Sequence, residues 1–241
     1  MTANSPALVV GFAAEARVAR LTGWRVAIGG GTTAGAALAA RRMIDAGATG
    51  IVSFGLAGGL DPALPAGALV VPRAVAADGR VWPTDPALSA RLGGTTGHLC
   101  LGHDRVVVSV EDKRQLSRET GAALVDMESG AVAAVADASG VPFAVLRVIC
   151  DPANRALPPA ALVALNAAGR LVAARLAMSI LARPGQLAAL FGLARDAAAA
   201  RRALRSHAMR ISPEWIGSKM PPDGALSGGI LPEDMVSEGI L

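Results

Sequence analysis

Two kinds of apolar pattern alternate along the chain. Short runs of consecutive apolar, often β-branched residues occur at 7–11, 24–28, 49–54, 68–75 and 143–149. Between them, residues 12–21, 34–46 and 126–138 space their apolar positions three or four apart, with charged or small residues elsewhere. A continuous apolar run bounded by turn residues reads as a strand buried on both faces, and the wider spacing reads as a helix. Strands alternating with helices predict an α/β fold: a three-layer sandwich around a central mixed, mostly parallel sheet.

Weaker signals fill the gaps. Residues 105–110 and 122–125 read as strands, and 111–120 as a polar helix. Asp78-Gly79 marks a hairpin turn, followed by an extended piece at 81–86. Residues 29–33, 55–60 and 61–67 read as loops, and 87–104 as an irregular Gly-rich stretch. A long amphipathic helix is expected over 158–181. After Arg183-Pro184-Gly185 the character changes, and 186–209 reads as a helix with Leu187, Leu190, Leu193 and Leu204 on one side and arginines elsewhere. That pattern fits a helix packed on its own domain or on a second subunit, and equally a basic helix touching an anionic membrane surface. Pro, Gly and scattered acids past residue 211 predict a disordered tail. The expected division is a main domain over 1–182, a basic helical extension over 183–210 and a tail over 211–241.

Charge and composition narrow the function. The net charge is about +3 over residues 1–182, about +5 over 183–210 and about −4 over the rest. A near-neutral body argues against nucleic acid as the partner. Cys100 and Cys150 fit no metal spacing, so two reduced thiols in a cytoplasmic protein are expected, without a metal or cofactor. No signal peptide is evident, and no window reaches the roughly 20 apolar residues of a membrane span.

Chemistry is expected where polar groups stand at the ends of apolar elements. These are Glu15, Glu128, and the Arg147 and Asp151 of the run V-P-F-A-V-L-R-V-I-C-D-P at 141–152. Ligands in open α/β sheets sit beyond the carboxyl ends of the strands, where Asp151 falls. Each group also has a plain structural reading. Glu15 would suit a helix dipole, Asp126 and Glu128 a helix cap, Arg147 and Asp151 an ion pair, and Gly55, Gly58 and Gly59 a tight turn. The glycines at 29–31 meet neither the dinucleotide nor the P-loop fingerprint.

Together these motifs resemble the purine nucleoside phosphorylase and methylthioadenosine/S-adenosylhomocysteine nucleosidase superfamily. The family's T-G-S-A-G-G-L loop is matched by F-G-L-A-G-G-L at 54–60. Its V-E-M-E-[GAS]-x-A segment is matched by V-D-M-E-S-G-A at 125–131, and its V-P-F-x-x-x-R-x-I-S-D by residues 141–151. The resemblance covers about residues 7–182. Within the superfamily the chain is most similar to the hopanoid-associated phosphorylase group, through L-A-G-G-L-D-P-A-L-P-A-G, V-S-V-E-D-K-R-Q-L at 108–116 and R-P-G-Q-L-x-A-L from Arg183.

The resemblance implies cleavage of the N-ribosidic bond of adenosylhopane, releasing adenine. A methylthioadenosine/S-adenosylhomocysteine nucleosidase and an inactive purine-binding scaffold are the alternatives. It further implies that Asp151 is the general acid at the base, with its apolar neighbours raising its pKa and Arg147 opposing them. Glu15 and Arg147 would serve the nucleophile, and Glu128 would accept hydrogen bonds from the ribose. Met127, Gly55, Ala57, Gly58, Val107 and Val125 would line the substrate. Arg17 and Arg147 are the candidate phosphate ligands if phosphate is a co-substrate. Leu56 and Cys150 stand where the family pattern has serines. A homo-oligomer is implied, and a membrane-resident substrate implies peripheral contact at the inner membrane through 183–210.

Overall fold

The computed structural model describes residues 5–163, 182 and 184–211. Nine strands form one sheet: β1 (Ala7–Val10), β2 (Arg25–Ile28), β3 (Ile51–Gly59), β4 (Leu69–Val70), β5 (Ala74–Ala77), β6 (Arg80–Pro83), β7 (Leu99–Gly102), β8 (Leu124–Asp126) and β9 (Phe143–Asp151). The main path runs β2-β1-β3-β8-β7-β5-β6, and β9 pairs with both β3 and β4. The pairs β1–β2, β1–β3, β3–β9, β5–β7 and β7–β8 are parallel, whereas β3–β8, β4–β9 and β5–β6 are antiparallel. The expected mixed, mostly parallel sheet is therefore present.

Helices cover both faces, because successive strand residues point to opposite sides. Ala7, Val9, Ile51, Val145 and Ile149 pack under α2 (Thr33–Asp45) and α5 (Ser129–Ala138), which contribute Ala36, Ala40, Val132 and Ala136. Leu8, Val10, Val52, Phe54, Leu146 and Val148 form the opposite core with Ala16 of α1 (Ala13–Ala19) and Leu88 of α3 (Pro86–Arg91). That second core also takes Ala200, Leu204, Ala208 and Ile211 from the long helix α7 (Leu187–Ile211). Burying Leu204 completely contributes about 1.5–3 kcal/mol, so the latter half of this basic helix is core material. A smaller cluster of Leu60, Val107, Ala122 and Val125 sits beside α4 (Val110–Thr120), and α6 (Pro159–Val163) is short.

Several local readings are corrected. The glycines at 55, 58 and 59 are not loop residues but the second half of β3. The run at 68–75 breaks at Pro72 into β4 and β5. Residues 105–109 lie outside the sheet: Val107 packs into the small cluster, and Val108 gives its carbonyl to the N–H of Leu157. The stretch 87–104 holds most of α3 and all of β7. The start of α3 was written in Asp85-Pro86, since the Asp85 carboxylate accepts from the N–H of Leu88 and proline suits the first helical position. Asp126 closes β8 rather than opening a helix. Most of the helix expected over 158–181, and the tail past residue 211, lie outside the described residues.

The sheet forks at β3. Strand β9 runs along one edge for its whole length. On the other edge β1 pairs only with residues 51–53 and β8 only with Gly58 and Gly59. The backbone groups of Leu56 point into the gap between them.

Candidate active site

Buried side chains fill that gap. The Leu56 N–H donates to Oε1 of Glu15 at 2.8 Å, and Nη1 of Arg147 donates to the Leu56 carbonyl at 3.3 Å. A main-chain N–H and C=O left without a ladder partner are thus satisfied by charged side chains. Glu15 sits in the first turn of α1, where Oε2 also accepts the N–H of Phe12 at 2.9 Å. Two glycines give the carboxylates room. A Cβ on Gly11 would stand 2.8 Å from Oε1 of Glu128 and 3.1 Å from Oε2 of Glu15, and one on Gly55 would collide with Glu15.

Arg147 does not pair with Asp151. Its guanidinium is 1% exposed and contacts Asp126 Oδ2 through Nε at 2.8 Å and Glu128 Oε2 through Nη2 at 3.0 Å. Nη2 also donates to Oγ of Ser53 at 2.7 Å and of Ser129 at 3.3 Å. Burial alone would lower the arginine's pKa, but Asp126 and Glu128 reverse this and hold it above its ordinary value. Asp126 in turn braces the turn from β8 into α5, its Oδ1 accepting the N–H groups of Glu128 and Ser129 at 2.9 and 2.7 Å. Burial raises the Glu128 carboxyl to about 7, against the pull of Arg147 and with a push from Asp126 and Glu15.

Asp151 has a different partner, Lys113 of α4. This lysine has no exposed surface. Its Nζ lies 2.7 Å from Asp151 Oδ2 and also donates to the carbonyls of Asp151, Pro152 and Arg155 at 3.2, 3.1 and 2.9 Å. Both carboxyl oxygens lie against Gly58, where a Cβ would stand 3.3 Å from Oδ1 and 3.4 Å from Oδ2, and Oδ1 accepts a weak bond from the Cys150 thiol at 3.4 Å. Burial raises the Asp151 pKa, and Lys113, not Arg147, opposes it. The Cys150 thiol is itself pushed well up by burial and by Asp151, so it stays neutral.

A cavity of about 420 Å³ joins these clusters, a volume suited to a small organic ligand. Asp151, Glu15, Glu128, Asp126, Met127, Ala57, Gly58, Val107 and Val125 line it, as do Phe12, Val18, Leu56, Leu157 and Leu204. Two arginines that sequence reasoning missed, Arg105 and Arg201, also reach it. Gly55 and Arg147 are buried and outside the lining, behind Leu56 and Glu128, and Arg17 is exposed and away from it. The structure thus gathers Asp151, Glu15, Glu128, Met127, Ala57, Gly58, Val107 and Val125 around one space. The described residues hold no cluster of three or more potential metal ligands.

Residues 96–182 match the phosphorylase superfamily, so the superfamily resemblance carried by the motifs is borne out. No curated protein matches the chain. Among solved structures, futalosine hydrolase of Helicobacter pylori superposes with a TM-score of 0.61 at 20% identity, over 85% of this chain and 97% of that one. The 5′-methylthioadenosine/S-adenosylhomocysteine nucleosidase of the same organism gives the same TM-score, identity and coverage. The nucleosidase of Neisseria meningitidis gives 0.59 at 18% identity, over 86% and 98%. At these identities the likeness is one of fold.

Proposed function

We propose that this protein is an enzyme that hydrolyses the N-ribosidic bond of an adenine nucleoside bearing a bulky apolar 5′-substituent, adenosylhopane being the substrate the motif resemblance names. The observation that carries the reading is a buried carboxyl with a raised pKa, Asp151, sharing one cavity with a carboxylate pair, Glu15 and Glu128. Cleaving such a bond requires a proton for the departing base and negative charge beside the cationic sugar. Asp151 Oδ1 supplies the first. Glu128 accepts from the ribose hydroxyls, Met127 packs against the sugar, and Glu15 holds the attacking water.

Hydrolysis is favoured over phosphorolysis by the placement of Arg147 and Arg17, the two arginines the motifs offer for phosphate. Arg147 is already surrounded by acceptors and outside the cavity lining, and Arg17 is exposed away from the cavity. The apolar lining from Val18, Leu56, Leu157 and Leu204 suits a hydrocarbon 5′-substituent. Approach to a membrane-resident substrate would use Leu187 and Phe191 at the start of α7, which are 41% and 74% exposed, whereas Ala200, Leu204, Ala208 and Ile211 of its latter half are buried in the core. A second reading, a methylthioadenosine/S-adenosylhomocysteine nucleosidase, is favoured by the solved structures of that description.

Adenine release from adenosylhopane and from methylthioadenosine, each with and without phosphate, tests these readings. Release independent of phosphate and faster with adenosylhopane is expected. Strict phosphate dependence would overturn hydrolysis, and preference for methylthioadenosine would overturn the substrate. Asp151→Asn should lower release by at least about 10²-fold.

A further inference from the structure

The motif V-S-V-E-D-K-R-Q-L contributes one residue that the proposed reaction has not yet used. We propose that Lys113 is a positioning residue for Asp151, anchoring one carboxyl oxygen and stabilising the carboxylate that forms as the proton leaves. The inference rests on the reading of Asp151 as the acid.

The geometry is specific. An ammonium has three N–H groups, and here four oxygens converge on it, three of them main-chain carbonyls: Asp151 at the end of β9, and Pro152 and Arg155 in the turn after it. Lys113 therefore fixes that turn as well as the carboxyl. Because Oδ2 is held at 2.7 Å by Nζ, Oδ1, which accepts the weak Cys150 thiol bond at 3.4 Å, is left as the proton-bearing atom. In the reaction the Oδ1–H bond breaks and an N–H bond forms on the base, which also takes the glycosidic electron pair. Water adds to the sugar carbon and its released proton restores Asp151. Lys113 keeps its own protons throughout, and its positive charge makes the carboxylate less costly to form in a buried setting. The other ionisable groups around the pair are Cys150 beside it and, lining the same cavity, Glu15, Asp126, Glu128, Arg105 and Arg201.

The test is the pH profile of adenine release. Asp151 must be protonated to act, so activity falls as pH rises through its pKa. Lys113 holds that pKa down, so Lys113→Met should move the alkaline limb to higher pH. At the wild-type optimum kcat should fall at least about tenfold, with KM changed less than about threefold. Lys113→Arg should leave the limb in place. A fall in kcat with an unmoved limb would mean a merely structural lysine and would overturn the inference. If the Met variant does not fold, the wild-type protein decides: the ¹⁵Nζ chemical shift of Lys113 should change as Asp151 ionises, with the midpoint of the alkaline limb, and a resonance indifferent to it refutes the pairing. Full activity in Asp151→Asn would instead sink the assignment of the acid, whatever Lys113 does.

Discussion

Replacing Arg147 with methionine keeps much of the side-chain volume and removes the charge at the fork. Asp126 and Glu128 would then be buried without their cation, and Ser53, Ser129 and the Leu56 carbonyl would each lose a donor. Breaking a buried ion pair by deleting one partner costs about 3–5 kcal/mol. For a domain of this size that is roughly 6–20 °C in Tm. The cost should depend on pH with a definite sign. Burial raises the folded pKa of Glu128 to about 7, above the ordinary carboxyl value of 4.5. Its contribution is therefore fully present below the unfolded pKa and is lost as pH rises through the folded one. Without Arg147 the folded pKa rises further, so the variant loses more stability on the alkaline side. Urea denaturation of both proteins at about pH 5.5 and about pH 8.5 measures this. A destabilisation below about 1 kcal/mol, or one larger in acid than in alkali, would refute the reasoning.

The remaining expectations concern α7. Leu204→Ala should destabilise by about 2–5 kcal/mol, because Leu204 is 1% exposed within the second core; a change under 1 kcal/mol would mean the helix is peripheral, contrary to its packing. Phe191→Ser should weaken binding to anionic liposomes while leaving Tm within a few degrees; unchanged binding would remove α7 from the proposed membrane contact.

Sequence pattern revealed the layers because each strand's alternate residues meet a different helix pair, and both sets are apolar. It also singled out Asp151, Glu128 and Glu15, which line one cavity, since a carboxylate at the end of an apolar element is a conspicuous feature. Lys113 was hidden for the opposite reason. Among Glu111, Asp112 and Arg114 it reads as one more residue of a solvated helix, and its burial follows from α4 meeting a turn about forty residues away in sequence. The partners of Arg147, Asp126 and Glu128, were not legible because strand spacing says which residues share an element, not which side chains approach from a neighbouring one. Residues 105–110 failed as a strand because β-branched runs also suit irregular chain packed against a small cluster, and β8 occupies the adjacent sheet position.

The fork in β3 bears on how this site can be altered. Glu15 and Arg147 stand in for a missing strand, so the side chains that complete the sheet also line the cavity, as Glu15 does, or back its wall, as Arg147 does. Substituting either leaves a main-chain group of Leu56 without its partner, and lost activity there says little about chemistry. Met127, Val18 and Leu157 line the cavity without supplying that ladder. Selectivity can therefore be reshaped from their side, whereas the wall behind Glu128 admits change only together with the architecture that holds it.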